Sequence, residues 1–306
     1  MTLDSILHIP SPPSSTCHHT WYLTHFRRIA TILLHHTTLL ARTTAFQILE
    51  IEFYLYDTHH TDPFTHAHPA QRGLSTWYFH QQGASYRGGS WKGVDLVFGV
   101  GFHGGILIRA LRNIQTGQVV NGPCKSVEAI MVACMGKIAS VKELIGVLEG
   151  NLHAEMGLLK CLVDRDESSK HDQMEFVIET PRIGLSLKPT HKNLDKRFRY
   201  ISKPYRFVHP THLKTKQTAT NIVGLYRMLL SNTDLLRNNE SVLQGLVRIM
   251  GVSLQTVCVC LEAYEKGLEQ GRPELCVGGG QSGKVLARLF GNVDGYLLKV
   301  VDFSVG

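Results

Sequence analysis

The sequence predicts an α+β fold, a curved mixed or antiparallel sheet with packed helices followed by a small helical domain. Three features carry that reading. Apolar and polar residues alternate in several close-set segments between Ala45 and Leu111 with no helical pattern between them, which argues against a doubly wound parallel sheet. Helical periodicity dominates later, from Thr218 to Leu268. At 306 residues and 43% hydrophobic, the chain can bury one full core and a smaller second one.

Each element follows from its local pattern. Residues 1–40 read as an N-terminal extension in which Ser11 to Ser15 is loop and Tyr22 to Leu40 an amphipathic helix, with Phe26, Ile29, Leu33 and Leu40 facing the next domain. Ala45 to Leu55 reads as a strand, His59 to Gln71 as a polar loop, Trp77 to Phe79 as a short strand, and Tyr86 to Ser90 as a turn. Val94 to Phe98 and Gly105 to Leu111 form a strand pair joined by a glycine-rich loop. Ser126 to Leu148 and Asn151 to Leu162 carry helical patterns, and residues 164–175 are charged and exposed. Glu175 to Val208 returns to extended pieces, including Arg197 to Tyr205. An α+β domain is thus expected over 41–210 and a helical domain over 211–272, and 273–306 is poorly specified.

Composition bounds the partners. A formal charge of +7 and a pI near 9.0 favour an anionic partner, nucleic acid ahead of an acidic membrane surface. Seven scattered cysteines without a C-x-x-C pair suit a reducing compartment. No stretch is long and apolar enough to cross a membrane as a helix. Arg197, Arg199, Lys203 and Arg206 interleave with Phe198, Tyr200, Tyr205 and Phe207, a pattern that fits either a phosphate-and-base surface or a strand with rings inward. Val242 to Val257 has a helix-turn-helix layout, with Gly251 in the turn and Ser253 as the second cap.

Several patterns fail or stay open. Gly99 to Gly104 fits G-x-G-x-x-G, but a strand follows where a dinucleotide site needs a helix. Gly278 to Lys284 resembles a phosphate loop, yet Val285 stands at the metal-binding hydroxyl position. His59, His66 and His68, with His60 and Asp62, offer metal-ligating chemistry without the helical H-x-x-x-H spacing. Glu50 and Glu52 fit a catalytic shelf, or the wet face of an edge strand.

Four collinear segments resemble the alkyladenine (3-methyladenine) DNA glycosylase family: Glu50-Ile51-Glu52-Phe53-Tyr54, Asp62-Pro63-Phe64-Thr65-His66-Ala67, Leu107-Ile108-Arg109-Ala110-Leu111 and Asn121-Gly122-Pro123-Cys124-Lys125. They parallel the family's E-x-E-A-Y, D-P-A-S-H, L-I-R-A-L and G-P-G-K segments. The resemblance implies a monomer acting on damaged double-stranded DNA, inside the cell and in the nucleus if the source is eukaryotic. It implies no metal and no cofactor. Glu52 would activate water and Arg109 would help hold it ionised. Tyr54 and His66 would line the base pocket with Asp95, which stands where the family has a tyrosine. Phe98 would wedge into the DNA stack, and Lys125 would join the basic residues at the backbone. Near Gly104 or Gly105 the family's guanine-excluding asparagine is replaced by glycine. The runner-up function is a non-catalytic nucleic-acid-binding protein on the same fold, and a third is a metal-dependent enzyme using the histidine cluster.

Overall fold

The computed structural model describes residues 2–13, 18–164, 175–185, 187–188, 190, 193–213, 217–230, 239–276 and 282–302. The chain has an α+β fold whose sheet pairings are mostly antiparallel. It divides into two units: Met1–Thr61, Thr65–Val177 and Phe207–His209 form the first, and Asp62–Phe64, Ile178–Arg206 and Pro210–Gly306 the second. The second unit therefore includes Ile178–Arg206, which lies before the expected boundary near 210.

The first unit opens with α1 (Leu3–Leu7), capped by the Thr2 hydroxyl, and α2 (His18–His35). Tyr22, Phe26, Ile29, Ala30, Leu33 and Leu34 recur at helical spacing and are buried, so α2 is part of the core. The helix expected to reach Leu40 stops at His35. The β-branched pair Thr37-Thr38 starts β1 (Thr37–Ala41), which turns at Arg42 into β2 (Thr44–Tyr56).

Around β2 the sheet is built from β3 (Leu74–Phe79), β6 (Val94–Phe98) and β7 (His103–Asn113), paired antiparallel in the order β3, β6, β7, β2. A small ribbon of β4 (Gln81–Gln82) and β5 (Ser85–Tyr86) lies between β3 and β6 in the chain. β8 (Val119–Asn121) edges β7, and α3 (Pro123–Met135) and α4 (Val141–Val147) follow. The single helix expected from Ser126 to Leu148 is thus two, because Gly136 adopts φ 72° and Ser140 with Glu143 forms a new capping box. Asn151 to Leu162 is not a helix either: its end is β9 (Leu159–Val163), whose alternating Leu159 and Cys161 are buried beside β1.

One register row of the sheet is apolar and the next is not. Phe53, Ile106, Leu96 and Trp77 are consecutive cross-strand neighbours, and Phe53 stacks on Phe26 of α2 with ring centroids 4.4 Å apart. Glu52, Leu107, Asp95 and Tyr78 form the adjacent row, which the period of two turns to the opposite face.

In the second unit β10 (Ile178–Thr180) is followed by α5 (Leu194–Ile201); β11 (Arg206–Val208) begins at that unit's Arg206, while its Phe207 belongs to the first unit and packs on Phe53 there. Arg197 to Ile201, expected to be extended, is helical and buries Phe198. The remaining helices are α6 (Thr218–Leu230), α7 (Asn239–Met250), α8 (Leu254–Gln270) and α9 (Gly283–Asp302). The last fills much of the region the sequence leaves unspecified. Its Gly291 and Gly295 lie against the backbone of α8 so closely that an added Cβ would stand 1.9 Å from the Tyr264 carbonyl and 2.0 Å from that of Leu268. Residues 165–174 and part of the glycine-rich run at 277–281 lie outside the described residues.

Candidate active site

β2 positions the acidic cluster. Its sequence alternates, but β2 is flanked on both sides, so Glu50 and Glu52 are 5% and 0% exposed and do not form the wet face of an edge strand. Two compensating bulges shape the site. The register slips between Ile48 and Glu50 and again between Glu50 and Ile51, leaving Leu49 on β2 and Arg109 on β7 without a direct opposite. Arg109, itself 8% exposed, donates from Nε to Glu50 Oε1 at 2.7 Å and from Nη1 to Glu52 Oε2 at 3.2 Å. The Tyr54 hydroxyl donates to Glu52 Oε2 at 2.8 Å.

This is two buried carboxylates sharing one guanidinium. Burial works against the charge on Arg109, but the Glu52 and Glu50 carboxylates outweigh it and raise its pKa above the usual arginine range. The pair is costly to desolvate and tolerable only because the hydrogen bonds are made. A buried, preformed carboxylate with a phenol at its oxygen suits abstraction of a proton from water or stabilisation of a cation forming nearby.

A second polar cluster shares that face. Asp95 accepts from His80 Nε2 at 2.8 Å and from Gln71 Nε2 at 2.9 Å. The His66 ring lies edge-on to His80, centroids 4.4 Å apart, and 6.3 Å from Tyr78, while His68 stacks on Tyr78 at 5.0 Å. His66 is packed by these groups on one side and open to solvent on the other. Desolvation on the packed side, reinforced by His80 and only partly offset by Asp95, lowers its pKa to about 4. It is therefore a neutral imidazole at pH 7. Across the row, Glu52 and Asp95 are two strand spacings apart, roughly 10 Å between backbones.

The structure thus brings Glu52, Tyr54 and Arg109 into direct contact and sets His66 and Asp95 on the same sheet face. His80, Gln71 and Tyr78 complete that second cluster. Sequence reasoning passed over Gln71 because it sits in a loop, where spacing carries no information about direction.

Other candidates stand elsewhere. Phe98 cannot be a surface wedge: it is 0% exposed, enclosed by Phe26, Phe53 and Phe102. At the tip of the β6–β7 loop the exposed apolar residue is Val100, 51% accessible, and Arg72 reaches the same loop at the Gly101 carbonyl. Arg206 is not at the surface; it is fully buried, donating to Thr180 and to Asn221 at 2.8 and 2.7 Å. Phe198, Tyr205 and Phe207 are buried, so those rings do not face outward for stacking. Arg197 lies over the Phe64 ring at 5.0 Å, Arg199 and Lys125 are exposed, and Lys203 is half-buried. Asp62 is paired at 2.6 Å with Arg182 in a fully buried bridge. His59 lies edge-on to His18, His60 is buried with Nδ1 at the Leu55 carbonyl, and His68 caps a 3-10 turn, so the histidines of that loop do not converge on a metal-sized space among the described residues. α7 and α8 are bent by 117° relative to one another at the break that holds Gly251, φ 63°, and Ser253 caps α8.

No family model matches the chain. It is similar to an uncharacterized protein, L759, of Acanthamoeba polyphaga mimivirus, 29% identical over 204 residues that cover 60% of this chain and 85% of the viral one.

Proposed function

We propose that this protein hydrolyses the N-glycosidic bond of a damaged purine in double-stranded DNA, after flipping the nucleotide into the face formed by β2, β7 and β6. The observation that carries this reading is the buried Glu52, held at one oxygen by the Tyr54 hydroxyl and the Arg109 guanidinium. Departure of the base leaves an electron-poor sugar. Glu52 would take a proton from the attacking water, and its charge, with that of Glu50, would favour the cationic transition state. The base would lie against Tyr54 and His66, whose rings supply π-faces beside those carboxylates. Val100, at an exposed loop tip, takes the wedge role expected of Phe98, and Arg72 beside it suits a phosphate. The chain's charge of +7 supports an anionic partner.

The test is release of free base from alkylated duplex DNA by the purified chain in EDTA, beside Glu52→Gln. The expected result is release by the wild type and a loss of at least about a hundredfold in the variant, with DNA binding kept. Undiminished turnover by Glu52→Gln would falsify the assignment.

A second reading is favoured by one specific observation, the 117° bend between α7 and α8. In that reading the protein docks on DNA without catalysis. Salt-sensitive binding with no base release from any lesion would select it.

A further inference from the structure

Resting on the glycosylase reading of this face, we propose that Asp95 is its specificity-determining residue and selects guanine-derived bases, by accepting hydrogen bonds from N1–H and the 2-amino group together. Asp95 is 2% exposed on an interior strand, and among the described residues the basic side chain in contact with it is His80, with no lysine or arginine against it. One donor reaches each oxygen, His80 at Oδ1 and Gln71 at Oδ2. An ionised carboxylate offers about four acceptor sites, so two remain. A buried carboxyl group with open acceptor sites is incompletely satisfied, and a ligand bearing N–H donors completes its hydrogen bonding.

The neighbouring backbone shows where the carboxylate leans. A Cβ placed on Gly105 would stand 2.6 Å from Asp95 Oδ2 and 2.8 Å from Gln71 Nε2. The absence of a side chain at Gly105 is therefore what lets carboxylate and amide lie over β7. Gly105 is the direct cross-strand partner of Tyr54, so the carboxylate leans over the β7 residue that pairs with the proposed stacking residue. Guanine presents two adjacent donors that match the two oxygens of one carboxylate. Hypoxanthine presents one of them, and adenine places an acceptor at N1, which a carboxylate repels. Sites built around a buried polar group reject ligands that leave it unpaired.

The experiment measures equilibrium binding of free 7-methylguanine and 7-methylhypoxanthine, which differ only in the 2-amino group, to the full chain by calorimetry. The same lesions are then compared for release from duplex oligonucleotides in EDTA. Wild-type protein is expected to bind 7-methylguanine at least about tenfold tighter. In Asp95→Asn the ratio should fall to near one, because an amide donor replaces an acceptor oxygen. Where that variant does not fold, Gly105→Ala, which crowds Oδ2, and the wild-type ratio itself still decide. A wild-type ratio near one, binding of neither base, or a tenfold preference surviving in Asp95→Asn overturns the proposal. The two levels separate cleanly: guanine preference in free-base binding without release from DNA overturns the glycosylase reading alone, and release without guanine preference overturns the role of Asp95 alone.

Discussion

Glu52 and Asp95 occupy one cross-strand row, with Leu107 between them, and each is buried among hydrogen-bond donors rather than exposed. The face that carries them is the reverse of the one that packs on α2. A single register thus divides the sheet into a core side and a polar side, and the bulge at Arg109 adds the cation to the polar side.

Removing the cation should be felt as instability before it is felt as altered chemistry. Arg109→Met leaves Glu50 and Glu52 buried without their guanidinium, and should cost about 3 to 5 kcal/mol of folding stability. Urea denaturation at pH 7 measures this.

Phe98 and Val100 should separate core from surface. Phe98→Ala should lose about 3 to 5 kcal/mol through the cavity left between Phe26 and Phe53. Val100→Ala should leave the melting temperature within a degree or two and weaken the fluorescence signal of an extruded 2-aminopurine in DNA. A stability loss at Val100 matching that at Phe98 would contradict the assignment of their places.

His66 has a definite pH signature. Its folded pKa of about 4 lies below the ordinary value near 6.5, so the unfolded chain takes up the proton first as pH falls. The stability this imidazole contributes is present above about 6.5 and declines between 6.5 and 4. Because the ring is open to solvent on one side, the effect should be at most about 1 kcal/mol. A proton NMR titration should place the His66 ring midpoint well under 6, and a midpoint at 6.5 would show that the packing around it is looser than described.

The α8–α9 contact should be intolerant of any side chain at its centre. Gly291→Ala drives a methyl into the Tyr264 carbonyl and should destabilise the second unit by about 2 kcal/mol or more. Gly283→Ala, where the nearest contact is the Ala219 methyl at 3.1 Å, should be far milder. Limited proteolysis of the two variants compares them directly.

The antiparallel pairing of the segments around β6 and β7 was legible in the sequence because alternation and a short glycine loop are local signals. So was the α7–α8 turn, where Gly251 and Ser253 announce themselves by residue type. The interleaved basic and aromatic residues from Arg197 to Phe207 were ambiguous, since the same alternation serves a stacking surface and a buried face; Arg206 and its neighbouring rings proved to be interior. The α9 helix was missed because its glycines lower helix propensity, while their purpose is close approach to α8.

By itself the sequence determined which side chains share a strand face, since a period of two puts Glu50, Glu52 and Tyr54 together wherever β2 lies. It also determined the chemistry on offer there, carboxylate and phenol, with arginine supplied by a second strand. Only the tertiary structure decided that β2 is central rather than an edge, that bulges aim Arg109 at both carboxylates, and that Phe98 faces the core while Val100 faces water. The physical reason is that burial and register depend on which strands lie alongside, and those partners come from Leu107 and Asp95, more than forty residues away along the chain.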